Sequence, residues 1–192
     1  MNTANENYEA LSFRLMQGKW KLFILLYTGA LAMLCVTVPW HSLLADSLLA
    51  LILIISGILD YYYGYLYDRL SLLLAMTAVV FNADLQVDLW SGLRGSLLAI
   101  MLMQFIRKVS RDGLGLGDVK FSGAIGWWLG FPDILAALGA AFLLGGLAAM
   151  YLLFTSNKGE QHRIAFGPFL AGGALLAVSF GDIFLCWYGK LL

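Results

Sequence analysis

Seven apolar runs separated by short polar loops dominate this chain, and a polypeptide patterned that way has few folds open to it. The runs are Leu22–Val38, Leu43–Leu59, Leu70–Ala83, Leu89–Ile106, Val119–Phe131, Ile134–Phe154 and Ile164–Tyr188. A membrane-spanning helix needs roughly 20 residues, with about 17–25 tolerated. The third and fifth runs are therefore short. For the fifth, which Asp118 opens, the expectation is a helix that starts inside the membrane boundary from a non-helical segment shielded by protein. Of the 192 residues 61% are hydrophobic and 12% charged, against roughly 45–50% and about 25% in soluble domains. A water-soluble fold of this size could not hide that much apolar surface. The expected architecture is all-α: one polytopic integral membrane bundle of about seven helices over residues 1–192. No internal repeat or linker divides it.

The basic residues set an orientation. Arg14, Lys19 and Lys21 precede the first run, and Arg69 follows the second. Arg107, Lys108 and Arg111 follow the fourth, while Lys158 and Arg163 follow the sixth. The intervening loops, Pro39–His41, Asn82–Asp88 and Pro132–Asp133, hold no lysine or arginine. The positive-inside rule then places the N-terminus and the first set of loops in the cytoplasm. Lys190 and Arg94 fit that pattern poorly. No small-residue cleavage site follows the first run, so it is expected to remain as an anchor.

The chemistry concentrates in Gly113-Leu114-Gly115-Leu116-Gly117-Asp118-Val119-Lys120. An Asp at membrane depth is costly and is a functional residue by default. The alternating glycines permit close backbone approach, as expected where an extended substrate must pass the carboxylate. The competing explanation of Asp118 is a helix cap, in which its oxygen accepts backbone N–H bonds. Asp60 ends the second run, where an acid opposes the helix dipole, and the tyrosines of Tyr61–Tyr67 mark the headgroup boundary. Both acids reach the cytoplasmic side. Asp68 has Arg69 beside it for charge compensation, and Asp112 has Arg111. Two carboxylates held together cannot both ionise. One can then polarise a peptide carbonyl while the other takes a proton from water, which is amide hydrolysis without a covalent intermediate or a metal.

Other polar groups have smaller claims. Lys120 is placed to tune the pair, to hold a substrate carboxylate or lipid phosphate, or to serve structure. Arg94 is expected to pair with an outer acid such as Asp88. Asp46 and Asp182 are expected to snorkel or pair near the outer helix ends. His41 falls on the outer side and His162 stands alone, so no Cys–His or Ser–His pair forms. Cys35 and Cys186 lie in apolar runs, have no zinc spacing, and read as core residues. The formal charge is zero, so nothing points to nucleic acid.

These residues resemble the type IV prepilin peptidases and archaeal preflagellin peptidases, the G-x-G-D membrane aspartic proteases. Gly115-Leu116-Gly117-Asp118-Val119-Lys120 matches every fixed position of their G-x-G-D-x-K element. The first catalytic Asp of that family precedes, by seven and eight residues, a Pro and an Asn or Asp. Asp60 is followed at those offsets by Tyr67 and Asp68, so the acid is kept and the proline is not. Ile164-Ala165-Phe166-Gly167-Pro168-Phe169 resembles a late Phe-Gly-Pro-Phe element. The resemblance covers about 43–192, the implied peptidase core, with an extra anchor helix at about 20–38. It implies Asp60 and Asp118 as the catalytic pair, with Gly115, Gly117, Lys120 and Asp68 binding substrate or supporting the site.

The same resemblance implies an endopeptidase that removes the leader from pilin or pseudopilin precursors at the cytoplasmic membrane boundary, with no cofactor. Many bacterial members add a cytoplasmic domain with two C-x-x-C pairs, associated with zinc and N-methylation. This sequence has neither those cysteines nor room for it, so it is similar to the short, peptidase-only members. Two alternatives remain. Presenilin and signal peptide peptidase share G-x-G-D and a Tyr-Asp pair that Tyr67-Asp68 could imitate, but their Pro-Ala-Leu element is absent. The other is a transporter or assembly factor whose acids are structural.

Overall fold

The computed structural model describes residues 24–38, 42–81, 88–111, 113–155 and 165–189, and the side chains beyond 181 are not described. Lys19, Lys21, His41, Asp112, Lys158, His162, Arg163 and Lys190, with the side chains of Asp182 and Cys186, therefore lie outside the described residues. Among the described residues the chain is all helix. The helices are α1 (Ile24–Thr37), α2 (Leu43–Tyr63), α3 (Asp68–Val80), α4 (Leu89–Val109), α5 (Leu116–Leu129), α6 (Asp133–Thr155) and α7 (Gly167–Gly189). Three of them, α2, α4 and α6, are long and apolar enough to cross a membrane by length and composition.

The short fifth run becomes the centre of the bundle. Helix α5 has 14 residues, about 21 Å at 1.5 Å per residue, less than the ~30 Å hydrocarbon core. It nevertheless buries residues on every side, including Asp118, Phe121, Ser122, Ile125 and Trp128. Helices α3, α4, α6 and α7 all pack on it. Their inward stripes show helical spacing: Ser71, Leu74 and Ala78 on α3, and Gly92, Gly95, Ala99 and Met103 on α4. Outward faces remain apolar, with Leu72, Met76, Met101 and Phe105 well exposed. In a bilayer those side chains meet lipid.

Small residues set the helix spacing, as expected where lipid removes the hydrophobic drive between helices. A Cβ added at Gly95 would meet the Gly126 carbonyl oxygen at 2.5 Å, and one at Gly126 would meet that of Gly95 at 2.6 Å. Backbones of α4 and α5 therefore touch directly. Gly173 on α7 lies as close to the Ala137 carbonyl of α6. At the end of α4–α5 remote from Asp118, Ser91 Oγ donates to the Phe131 carbonyl at 2.8 Å and accepts from the Phe131 N–H at 3.0 Å.

Two sequence expectations change here. Cys35 is exposed on α1 rather than a core residue. Of the two alternatives for Asp46, burial rules out snorkelling and leaves pairing: it is only 4% exposed, in the first turn of α2, where an acid complements the helix dipole.

Candidate active site

Helix α2 runs past the end of its apolar run, so Asp60 lies inside its last turn. Gly64 stops the helix in the left-handed region at φ 68°, and its N–H returns to the Asp60 carbonyl at 2.7 Å, as a glycine cap does. The Asp60 side chain is 6% exposed. Its Oδ2 accepts the Gly167 N–H at 2.7 Å, a contact across 107 residues of sequence. Gly167 is the first residue of α7, so Asp60 serves as that helix's N-terminal anion. A side chain at 167 has no room: its Cβ would meet Asp60 Oδ2 at 2.6 Å and Asp60 Cβ at 2.8 Å.

Asp118 lies in the first turn of α5, 8% exposed. Its Oδ2 accepts the Gly115 N–H at 3.2 Å, so it caps its own helix as well. Its Oδ1 is buried and has no hydrogen-bond partner among the described residues. Of the two carboxyls, then, one oxygen of each is held by a backbone N–H from a helix N-terminus. Asp60 is close enough that its charge bears on Asp118.

The glycines between them face the protein itself. A Cβ at Gly117 would meet Leu66 Cβ at 3.0 Å and its carbonyl oxygen at 3.1 Å, and one at Gly115 would meet Asp118 Oδ2 at 3.1 Å. The close approach expected for a substrate backbone is made here by the α2–α3 turn. Tyr67, standing where the resembled family has proline, has φ −74°, within the −65 ± 15° that a proline ring imposes. The turn thus keeps a proline-compatible shape. Asp68 follows as the first residue of α3, and Lys120 Nζ bonds its Oδ2 at 2.6 Å. Both side chains are more than half exposed. Asp68 is paired with Lys120 and stands outside the buried acids.

All of the proposed residues therefore gather at one end of the bundle, around the 64–67 and 113–115 turns. Sequence reasoning noticed Phe166–Phe169 but did not assign Gly167 to the site. Its signal was a glycine just ahead of a proline at a helix start, but nothing local identified its partner. An apolar cleft of about 270 Å³ opens between α2 and α7 beside Asp60, lined by Gly57, Ile58, Tyr61 and Pro168. Among the described residues no three metal-ligating side chains cluster. Arg94, expected to pair with Asp88, instead donates its Nε–H to the Trp90 carbonyl at 3.1 Å.

A helical membrane bundle with two buried carboxyls meeting at one end defines a class, the polytopic membrane protein with a paired-acid centre. The profile of the type IV leader peptidase family matches residues 47–150, over half of the chain and inclusive of both acids, and the chain belongs to that family. It is 26% identical to the prepilin leader peptidase/N-methyltransferase of Bacillus subtilis over 73% of this chain and 57% of that protein. Against the proteins of the same name from Aeromonas hydrophila and Aeromonas salmonicida, identity is 27% and 28%, over 97% and 78% of this chain. The chain spans 70% and 54% of those two relatives. No solved structure matches it significantly.

Proposed function

We propose that this protein is a membrane-embedded aspartic endopeptidase that removes the leader peptide from type IV pilin-like precursors. The observation that carries the reading is that Asp60 and Asp118 are both buried at the same end of the bundle, near enough for the charge of one to bear on the other, inside the segment matched by a leader peptidase family. Two adjacent carboxyls divide into an ionised member, which takes a proton from water, and a protonated member, which hydrogen-bonds the scissile carbonyl. The unpartnered Asp118 Oδ1 leaves an atom for that work. As the tetrahedral intermediate collapses, the acid delivers its proton to the departing amine. Lys120 and Asp68 support the site by tying α5 to α3, Gly117 lets the start of α5 seat against Leu66, and Gly115 leaves room for the Asp118 carboxylate. The apolar cleft beside Asp60 suits the apolar segment that follows the cleaved bond of such a precursor.

The basic residues Arg69, Arg107, Lys108, Arg111 and Lys120 crowd the end that carries the acids, so the positive-inside rule supports a cytoplasmic active site in a bacterial or archaeal cytoplasmic membrane. The test is cleavage of a prepilin-type precursor by the purified protein in liposomes, followed by mass spectrometry. The expected product lacks the leader and carries an unmethylated N-terminus even with S-adenosylmethionine present. Asp60→Asn and Asp118→Asn should each abolish cleavage while accumulating normally in the membrane. Cleavage by either variant at the wild-type rate overturns the assignment.

A further inference from the structure

Arg94 is a cation inside a membrane-spanning helix, and no carboxylate pairs with it among the described residues. Nε–H is committed to the Trp90 carbonyl, which leaves four guanidinium N–H donors. An ionisable side chain at such a depth calls for a partner of opposite charge. Arg94 is exposed on the outward face of α4, at one end of an apolar groove of about 660 Å³. Leu98, Met101 and Phe105 continue that face at helical spacing, and Phe131 and Leu135 form the opposite wall. From Arg94 to Phe105 the groove runs about 16 Å along the helix at 1.5 Å per residue. That is half of the ~30 Å hydrocarbon core, whereas a partner helix crossing the membrane would engage its full thickness. Trp90, one turn toward the helix start and 69% exposed, suits the headgroup level.

We propose that this groove is a phospholipid site, with Arg94 holding the phosphate and the apolar face that begins at Leu98 holding an acyl chain. The phosphate offers oxygens in the planar arrangement that a guanidinium matches, a pairing that lysine reproduces only as a point charge. The site lies away from Asp60 and Asp118, so it stands whether or not the peptidase assignment does.

The experiment is native mass spectrometry of the full chain, purified in detergent, delipidated, and titrated with phosphatidylglycerol or with diacylglycerol of the same acyl chains. Wild type should bind phosphatidylglycerol roughly tenfold to a hundredfold more tightly than Arg94→Gln, the range for a charge-assisted contact. Diacylglycerol, lacking phosphate, should bind both proteins equally and weakly. Arg94→Lys should recover part of the difference. If Arg94→Gln does not fold, Leu98→Trp fills the groove with the charge intact and should weaken phosphatidylglycerol in its place. Equal phosphatidylglycerol binding by wild type and the variant that folds overturns the proposal. Disulfide cross-linking of two copies through Met101→Cys, in a background free of Cys35 and Cys186, would also overturn it by making a second chain the occupant.

Discussion

Replacing Gly167 by Ala isolates the contact that holds Asp60. The backbone there has no left-handed φ, so alanine meets no left-handed strain. The cost falls on Asp60. A new Cβ would lie 2.6 Å from Oδ2, whereas ordinary contact begins at 3.4 Å, so the carboxylate must move by the difference, 0.8 Å. It also loses or lengthens the 2.7 Å bond from the Gly167 N–H. A displacement near 1 Å at a reacting group costs about 100-fold in rate. The expected result in liposomes is a kcat lowered about 100-fold, with KM for the precursor little changed and membrane accumulation normal. Gly139→Ala on α6 is the control, because a Cβ there would meet nothing within 4 Å. If Gly167→Ala keeps wild-type kcat, Asp60 is not held by this contact in the working enzyme and the geometric reasoning fails.

Tyr67→Pro should be tolerated, because the position already has a proline-compatible φ and its N–H donates no recorded backbone bond. Thermal denaturation should show a stability gain of about 0.4–1 kcal/mol, and a loss would show that the N–H is needed. Asp68→Asn and Lys120→Met should each cost no more than about 1 kcal/mol, as for an exposed ion pair, and retain measurable cleavage; complete inactivation by Asp68→Asn would move a catalytic role to that residue. Single cysteines in a cysteine-free background should be shielded from an impermeant thiol reagent in intact cells at Ser110 and labelled at Gln86. Labelling at Ser110 from outside would reverse the orientation.

Helix positions were legible because hydropathy reports where water is excluded. The run Leu43–Leu59 and the helix Leu43–Tyr63 differ only at the end where Gly64, and not polarity, stops the turn. Likewise α5 begins at Leu116 instead of Val119, since the chain becomes helical before it becomes continuously apolar. Hydropathy cannot separate a protein interior from lipid, however, because both are apolar. Cys35 therefore read as core yet is exposed on α1. The site was half legible. Asp60 and Asp118 stood out as charges at apolar run ends, but Gly167 N–H, 107 residues from Asp60, leaves no periodic trace. The glycines around Asp118 signalled close approach without naming what approaches, and the neighbour proved to be Leu66.

Two of the close glycine contacts clasp pairs of helices that hold one acid each. Asp118 belongs to α5, fastened to α4 at Gly95 and Gly126, while Asp60 belongs to α2, which meets α7 at Gly57 and Gly167. Neither pair contains both acids. The α4–α5 pair can form before α7 is made, and until α7 arrives Asp60 lacks the Gly167 N–H that holds it. The last helix to be made therefore supplies the backbone contact that fixes the first acid, so the two carboxyls take up their places together only when the whole bundle has closed.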